Sequence, residues 1–365
     1  MPTALRTSLH DRHAAAGAKV GPFAGWDMPL VYTTVRQEHR AVRERSGVFD
    51  VSHMGQLEVS GPGAREYLRS ALTNDLTKIA PGSGQYTLML LEDGGIIDDL
   101  IVYALPDRHL LVVNASNVAA CREWLTDRAP DDVEVADRSA EIAMLAVQGP
   151  AWERAVGPLP GSPVAFALEY FDITEGALAG VPCLVARTGY TGEPGVEIMC
   201  PWVEAPRLWD ALLAGPEPPT PAGLAARDTL RLEMGYPLYG QDLSRERTPI
   251  EAGLRWACDL EGGRFTGAEV LRRQAESGTA ERLAIFTLTE PGIPRPGCEV
   301  LAAGEPVGVV TSGTLSPTLD VGMGMAYLPS DLAPAGHDVV VDVRGKPKAA
   351  RTARRPLVDT SPRKG

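Results

Sequence analysis

Three strand-like segments follow one another between residues 86 and 115 with no room for a helix between them. Tyr86–Leu91, Ile96–Leu105 and Leu110–Ala115 are rich in branched and aromatic residues. The residues that separate the first two segments end in Gly94 and Gly95, which is typical of a hairpin turn. Parallel neighbours would need a crossover of about a dozen residues or more, so this stretch predicts an antiparallel meander.

Elsewhere before residue 281, helical and strand patterns mix without the regular alternation of βαβ units. The sequence predicts helices over Val35–Arg45, Ala64–Leu72 and Val118–Ala129, and strands over Val48–Val59 and Ile142–Val147. This order favours an α+β body with largely antiparallel sheets.

The pattern changes at Arg282. Short strand-like segments then lie between glycine and proline turns, at Leu283–Leu288, Glu299–Leu301, Val307–Thr311 and Val339–Val343. They predict a separate all-β C-terminal domain, either a sandwich or a barrel.

Charge and cysteine content exclude several classes of protein. The chain has 47 acidic and 35 basic residues, a net charge of -12, which argues against nucleic acid or an anionic membrane as a partner. Eight of the bases but only one acid lie from Arg344 onward, so an acidic body carries a basic end. The five cysteines form no Cys-x-x-Cys pair, which indicates a reduced, cytoplasmic protein without a thiolate metal site. No apolar run approaches the roughly 18 residues of a membrane span, and the N-terminus lacks the apolar core of a signal peptide.

Nucleotide-binding signatures are absent from the sequence. It contains neither Gly-x-x-x-x-Gly-Lys-Ser/Thr nor Gly-x-Gly-x-x-Gly between a strand and a helix. ATP and NAD chemistry are therefore not expected, and no metal site is predicted.

Two adjacent carboxylates, Asp98 and Asp99, interrupt the apolar strand that starts at Ile96. Successive strand residues face opposite sides, so we expect one of the two to point inward. Burying an ionised carboxylate costs several kcal/mol unless donors or a ligand compensate. Two interpretations stay open: a site with a polar ligand, or a pair at the end of the strand that is capped by amides of the Gly-Gly turn.

A second group of polar residues lies in the loop Arg187–Glu197. Its glycines would let a ligand approach the backbone beside Tyr190, and Glu197 is again an acid inside an apolar strand. An ordinary hairpin turn is the alternative.

The predicted helix that follows Gly223 carries Arg227 and Arg231 one turn apart. Arginines at this spacing usually pair with nearby acids, here Asp228 and Glu233, and local ion pairs are the simpler interpretation.

Asp50, Ser52 and His53 are not predicted to form a hydrolase triad. Adjacent strand residues point to opposite faces, and the sequence contains no Gly-x-Ser-x-Gly elbow.

Ten short motifs run in order through most of the chain: Phe49–Met54, Thr73–Asp75, Gly94–Leu100, Val112–Asn114, Gln148–Pro150, Thr188–Glu193, Gly223–Glu233, Leu238–Asp242, Thr311–Thr314 and Leu315–Leu319. Together they resemble the aminomethyltransferases, the T-proteins of the glycine cleavage system. One such motif would be a weak indication, whereas the ordered set is specific.

This resemblance implies a fold and a reaction. The fold is a three-domain cloverleaf around a central folate channel, with two interleaved antiparallel α+β domains in residues 1–280 and a C-terminal β-barrel in residues 281–365. In the reaction, the aminomethyl group on the lipoyl arm of H-protein loses ammonia, and its one-carbon unit passes to tetrahydrofolate as 5,10-methylenetetrahydrofolate. The co-substrate implied is tetrahydrofolate, and the partner is lipoylated H-protein.

The resemblance also implies roles for single residues. Asp99 matches the essential carboxylate, Glu197 the acid that holds the pterin, and Arg227 its basic partner. Other positions match the walls of the folate site: Tyr86, Tyr170, Tyr190, Met54, Val113 and Asn114.

The sequence departs from the family at its C-terminal end, where Pro356–Thr360 is followed by Ser361 and Pro362 instead of an aromatic residue. Relatives within the same superfamily leave two alternatives: a folate-binding factor without turnover, and a folate-dependent demethylase of another small donor. The missing dinucleotide motif argues against the related flavoenzymes. The absence of cysteine from Gly262–Glu269 argues against the related iron-sulfur assembly factor.

Overall fold

The structure is a computed structural model that describes residues 4–362. Its α-helices are α1 (His10–Ala15), α2 (Val35–Glu44), α3 (Ala64–Ala71), α4 (Val118–Arg128), α5 (Trp152–Val156), α6 (Pro163–Phe166), α7 (Ala205–Leu213), α8 (Leu224–Met234) and α9 (Ala268–Ser277). Its strands are β1 (Leu5–Arg6), β2 (Lys19–Phe23), β3 (Trp26–Val31), β4 (Gly47–Asp50), β5 (Gly55–Ser60), β6 (Ser83–Leu90), β7 (Ile96–Ala104), β8 (Arg108–Val113), β9 (Glu134–Asp137), β10 (Ile142–Gln148), β11 (Ile173–Leu178), β12 (Val181–Ala186), β13 (Gly195–Pro201), β14 (Thr220–Pro221), β15 (Glu281–Leu288), β16 (Glu299–Ala302), β17 (Glu305–Leu315), β18 (Gly322–Pro329), β19 (Asp338–Asp342) and β20 (Pro347–Ala353).

A six-stranded sheet has the order β11-β12-β13-β10-β4-β14. Helices α5, α6 and α7 pack on it and enclose an apolar core around Trp152 and Trp209. The central strands β10 and β13 are buried on both faces, as their nearly continuous apolar sequences require. Small strands β1, β3 and β2 form a separate three-stranded sheet.

A five-stranded sheet has the order β6-β7-β8-β5-β9, and α3 and α4 pack against it. Strands β6, β7 and β8 are antiparallel neighbours, which confirms the predicted meander. The predicted helices over residues 35–45, 64–72 and 118–129 are also confirmed, within one residue at each end.

The predicted strand Val48–Val59 was wrong, because it is two strands in two different sheets. β4 ends at Asp50 and β5 begins at Gly55. Between them Asp50 Oδ1 accepts the N–H of Ser52 at 2.9 Å, and Met54 N–H donates to the carbonyl of Val51 at 3.0 Å. These local bonds turn the chain out of the first sheet. The five-stranded sheet is therefore inserted between β4 and β10, so the two α+β units are interleaved.

The C-terminal strands form a closed barrel in the order β15-β18-β17-β16-β19-β20. β15 pairs with both β18 and β20, which closes the barrel. Of the two architectures that the sequence left open, the C-terminal domain is therefore a barrel and not a sandwich. The α+β fold with a C-terminal barrel is confirmed, whereas the division of the chain at residue 280 stays a prediction.

Buried polar contacts join the barrel to the body. Glu233 on α8 accepts hydrogen bonds from Ser316 and Thr318, which follow β17. Arg231, two residues earlier on α8, donates to Ser312 Oγ of the barrel at 2.7 Å. The helix that carries Arg227 is thereby held against both parts of the molecule.

None of the helices within residues 4–362 is long and apolar enough to cross a membrane. In the same part of the chain, no cluster of three or more His, Cys, Asp or Glu residues is arranged to hold a metal ion.

Candidate active site

Asp99 lies half-buried on β7 with both carboxylate oxygens held by neighbouring side chains. The Tyr86 hydroxyl donates to Oδ2 at 3.0 Å, and Asn114 Nδ2 donates to Oδ1 at 2.9 Å. Asp98 points to the opposite side of the strand and is fully buried, as strand alternation predicted. Of the two carboxylates, Asp99 is therefore the one that faces the group of tyrosines described below.

Burial perturbs the acidity of these groups. It raises the pKa of Asp99 to about 6, while the hydrogen bonds from Tyr86 and Asn114 partly offset this rise. Burial also raises the pKa of Asp98, to about 8, and that of the Tyr86 hydroxyl well above its usual range. Tyr86 therefore stays protonated and remains a donor to Asp99 near neutral pH.

Glu197 is 4 % exposed in the middle of β13. Thr188 donates to its Oε2 at 2.6 Å, and the Tyr103 hydroxyl lies 2.8 Å from Thr188 Oγ1, so the two hydroxyls form a chain that ends on the carboxylate. Burial raises the pKa of Glu197, and the positive charge of Arg227 opposes this rise. The hairpin-turn alternative is therefore incomplete, because the loop also carries a buried, hydrogen-bonded acid.

Arg227 on α8 lies beside Glu197 and Tyr190. Its guanidinium carbon is 5.0 Å from the centroid of the Tyr190 ring, an arrangement suited to a cation–π interaction. Burial lowers the pKa of the guanidinium, and the charge of Glu197 opposes this effect. Its Nη1 is buried and has no hydrogen-bond partner within residues 4–362. A buried donor without a partner costs free energy, so this nitrogen is available to donate a further hydrogen bond.

Aromatic rings surround these polar groups. Tyr86 stacks on Trp256 with ring centroids 5.3 Å apart, and Tyr190 stacks on Tyr236 at 5.8 Å. The Tyr190 hydroxyl donates to the carbonyl of Pro237, which fixes the position of the ring.

Electrostatic effects connect the predicted residues into one group. The pKa of Tyr190, raised by burial, is also influenced by the charges of Asp99 and Arg227. Burial likewise raises the pKa of Tyr103, and the charges of Glu197 and Tyr170 add to this rise. Residues that are far apart in the sequence thus meet within electrostatic range of one another.

Two predicted wall residues are placed differently from the rest. Met54 is partly buried against an apolar cluster that contains Tyr103 and Val112, close to the site. Val113 is fully buried in the core beneath α4, on the side of β8 away from Tyr103. The structure does not bring the Val113 side chain into the group, since strand alternation turns Val112 toward it instead.

Several residues of this site were not singled out from the sequence. Tyr103 lies near the end of the apolar strand β7 and Trp256 lies in a segment with no distinctive motif, so neither was singled out. Thr188 and Asp242 lie within quoted motifs, which could have pointed to them.

Burial and the charge of Arg227 lower the pKa of His53 to about 4, so this buried side chain is neutral beside the arginine.

The predicted local ion pairs of the α8 arginines are only partly correct. Arg231 pairs with Asp228 at 2.8 Å, and also with Asp242 at 2.8 Å. Glu233 instead pairs with Arg43 at 2.9 Å. Arg227 makes neither local pair and points toward Glu197 and Tyr190.

The arrangement offers three chemical functions in one place. A buried carboxylate and a guanidinium can recognise the edge of a polar ring, tyrosines can pack on its faces, and a second carboxylate with a pKa near 6 can exchange a proton.

Comparisons with known proteins identify relatives along nearly the whole chain. Residues 9–262 match the GCVT N-terminal domain, and residues 281–359 match the glycine cleavage T-protein C-terminal barrel domain. An aminomethyltransferase of Geobacillus kaustophilus is 47% identical over 346 residues, which covers 93% of this chain and 95% of that protein. An aminomethyltransferase of Frankia alni is 48% identical over 364 residues, with 98% and 99% coverage. The crystal structure of glycine cleavage system aminomethyltransferase T from Bartonella henselae superposes with a TM-score of 0.90 at 36% identity and covers 98% of both chains.

Proposed function

Because this chain belongs to the aminomethyltransferase family, the T-proteins of the glycine cleavage system, we propose that it passes the one-carbon unit of aminomethyl-lipoyl H-protein to tetrahydrofolate. Ammonia and 5,10-methylenetetrahydrofolate are the products. One observation carries the proposal: Asp99, Glu197 and Arg227 converge on a shared group of tyrosine rings.

The charged residues at one end of this group fit the amino-pyrimidinone edge of a pterin. A carboxylate such as Glu197 accepts hydrogen bonds from the ring N–H and the amino group, while a guanidinium donates to the carbonyl. Support comes from the buried Glu197, which is held from one side by Thr188, and from the unpartnered Nη1 of Arg227. We assign both residues to pterin binding.

Aromatic side chains supply the surfaces for the flat ring. We assign Tyr86, Tyr170 and Tyr190 to the walls of the folate site, with Met54 and Asn114 beside them. If Val113 touches the ligand, it does so through its backbone, because its side chain is packed in the core.

Tetrahydrofolate, when bound, supplies the nitrogen nucleophile that takes up the one-carbon unit. Asp99 is assigned as the group that orients this nitrogen, accepts its proton and stabilises the positive charge that develops as ammonia leaves. Tyr86 and Asn114 hold the two carboxylate oxygens in place for this role. With its pKa raised to about 6, Asp99 is ionised at pH 7 and is a stronger base than an ordinary aspartate.

We propose that the protein acts in the bacterial cytoplasm with H-protein and folate as its partners, and without nucleic acid, membrane or metal. The basic C-terminal end would attract the glutamate tail of folate and the acidic surface common among H-proteins. Arg351 and Arg354 are exposed in the structure, whereas Arg355 turns inward and donates to the carbonyl of Leu283. Two further bases of this end, Arg363 and Lys364, lie outside the described residues.

The direct test mixes the purified protein with tetrahydrofolate and aminomethyl-loaded H-protein and measures ammonia. Release that requires folate, together with methylenetetrahydrofolate as product, supports the proposal, and no such release refutes it. A folate-binding factor without turnover would instead be stabilised by folate, by about 2.7 kcal/mol at a hundredfold excess over the Kd, and would transfer nothing. A demethylase would form methyltetrahydrofolate from a small donor without H-protein.

A further inference from the structure

Asp98 is an acid for which the proposed reaction has no direct use. It is fully buried on the face of β7 that lies against α4. Its four hydrogen-bond donors are all uncharged: the backbone N–H and Nδ2 of Asn114, Nδ2 of Asn117, and Sγ of Cys121. Burial of an acid among neutral partners is costly, so stability alone does not explain an aspartate at this position.

The Asn117 side chain hydrogen-bonds to Asp98 and not to its own helix. Asn117 occupies the N-cap position of α4, yet its side chain makes no capping bond to the helix. It donates to Asp98 Oδ1 at 2.6 Å instead. A cap is worth about 1 kcal/mol, so the contact with Asp98 replaces a stabilising interaction of the helix.

Asn114 is the link between the two acids. Its Nδ2 lies 2.8 Å from Asp98 Oδ1, and 2.9 Å from both Oδ1 and the carbonyl oxygen of Asp99. Three acceptors around one nitrogen require the NH₂ end of the amide to face the acids. Asp98 also accepts the backbone N–H of Asn114 at 2.9 Å, and so fixes the residue at two points.

We propose that Asp98 is a positioning residue of the transfer reaction, which holds the Asn114 amide so that it donates to Asp99. The proposal rests on the role given above to Asp99 and adds a residue that does not touch the substrate. It assigns Asn117 to the same task, as a second donor that steadies Asp98.

Replacing Asp98 with asparagine should disrupt this arrangement even though the two side chains have the same shape. The backbone N–H of Asn114 cannot rotate, so the oxygen of the new amide must stay at the Oδ2 position. Its NH₂ then takes the Oδ1 position, which is 2.8 Å from Nδ2 of Asn114 in the wild type. Two donors cannot bond to each other, so the Asn114 amide turns and withdraws its donor from Asp99.

The substitution changes little charge at the pH where Asp99 titrates. Burial raises the pKa of Asp98 to about 8, so this carboxyl holds a proton near pH 6. The proton has a place on Oδ2, because Cys121 Sγ at 3.7 Å can accept as well as donate. The other titratable groups near the two acids are unchanged in the variant: Tyr86, Cys121, Tyr190, Tyr239, Asp242 and Arg245.

For Asp98→Asn we expect a fall in kcat of about 10- to 100-fold, the effect of losing one hydrogen bond to a charged group. The Kd for tetrahydrofolate should change much less than kcat, since Asp98 faces away from the tyrosines and Asn114 is not one of the two residues assigned to the pterin edge. The Asn114 hydrogen bond lowers the pKa of Asp99, so its loss should move the acid limb of kcat upward, by about one pH unit.

A measurement without substrate separates this proposal from the proposed function. Carbon-13 NMR of labelled aspartate carboxyls follows the titration of Asp99 in the folate-free protein, with the signal assigned by its loss in Asp99→Asn. The Asp99 titration should move to higher pH in Asp98→Asn. A wild-type protein without ammonia release would refute the proposed function but leave this titration informative. If the wild-type protein is active, and Asp98→Asn has the same kcat and the same Asp99 titration as the wild type, the positioning role of Asp98 is overturned.

Two further variants keep the result interpretable. If Asp98→Asn does not fold, it can be combined with Asn117→Asp. The new NH₂ group at position 98 can then donate to the carboxylate at position 117. It still faces the NH₂ group of Asn114, so the conflict between these two donors remains. Turnover of this double variant should stay low, and wild-type turnover would overturn the proposal. Cys121→Ala is the control, because it removes a contact of the Asp98 carboxyl that does not involve Asn114. It should keep the wild-type kcat and acid limb, and an equal loss in this control would overturn the proposal.

Discussion

Replacing Glu197 with glutamine should weaken folate binding and at the same time stabilise the folate-free protein. The glutamine keeps the size of the side chain and can still accept the hydrogen bond from Thr188. It loses the negative charge that we assign to the pterin edge. Hydrogen bonds to charged groups contribute about 1.5–3 kcal/mol and neutral ones about 0.5–1.5 kcal/mol. The difference of about 1–2 kcal/mol corresponds to a rise in Kd of roughly 5- to 30-fold.

The expected gain in stability follows from the acidity of Glu197. Burial raises its pKa by more than the charge of Arg227 and the Thr188 hydrogen bond lower it. The folded state therefore holds this proton more tightly than the unfolded chain, and ionised Glu197 lowers the free energy of unfolding above its folded pKa. Glutamine removes this penalty. Its advantage should be present at pH 8 and should shrink as the pH falls through the folded pKa of Glu197.

Titration calorimetry with tetrahydrofolate under anaerobic conditions measures the Kd, and urea unfolding at several pH values measures stability. Glu175→Gln is a matched control, because Glu175 lies in the same sheet but is 67% exposed and only 3.5 Å from Arg108. An exposed ion pair of this kind contributes little, so neither quantity should change in the control. An unchanged Kd together with a lower urea midpoint in Glu197→Gln would refute the assignment, because Glu197 would then be a structural acid.

Two other predictions concern pH and charge. Since burial raises the pKa of Asp99 to about 6 and the reaction needs its ionised form, kcat should fall as the pH drops below about 6; a pH profile that stays flat down to pH 5 would contradict this. Replacing the exposed Arg351 and Arg354 with glutamine should weaken the dependence of H-protein turnover on salt concentration; an unchanged dependence would show that these bases are ordinary solvated residues of the last strand.

Local sequence patterns predicted the parts of the fold that depend on neighbouring residues. The meander was recognisable because its turns contain glycine or proline and its strands are apolar, and the alternation along β7 correctly placed Asp98 and Asp99 on opposite sides. The strands β18 and β20 were missed for different reasons. β20 begins with a proline and contains Lys348 and Arg351, and β18 contains glycines, which are unfavourable in strands. At Gly324 a side chain would meet the ring of Phe286 at 2.6 Å, so glycine is required there by a contact that only the barrel creates.

Tertiary contacts determined the rest of the site. The break in the predicted strand after Asp50 depends on a side chain that bonds its own backbone, which a pattern of apolar residues does not reveal. Tyr103 reaches Glu197 only because two interleaved sheets meet, and Trp256 reaches Tyr86 from a segment with no distinctive motif. Val113 was assigned by resemblance alone, and its burial beneath α4 was not predicted.

The proposed transfer reaction depends most on the carboxylate of Asp99, and Asp99→Asn tests this role most directly. The variant is nearly isosteric, so tetrahydrofolate should bind with a Kd within a few-fold of the wild type. Single-turnover release of ammonia from aminomethyl-loaded H-protein should fall by about 10²- to 10⁴-fold, the usual contribution of a positioned general acid or base. If Asp99→Asn binds folate and releases ammonia at the wild-type rate, Asp99 does not have the proposed role.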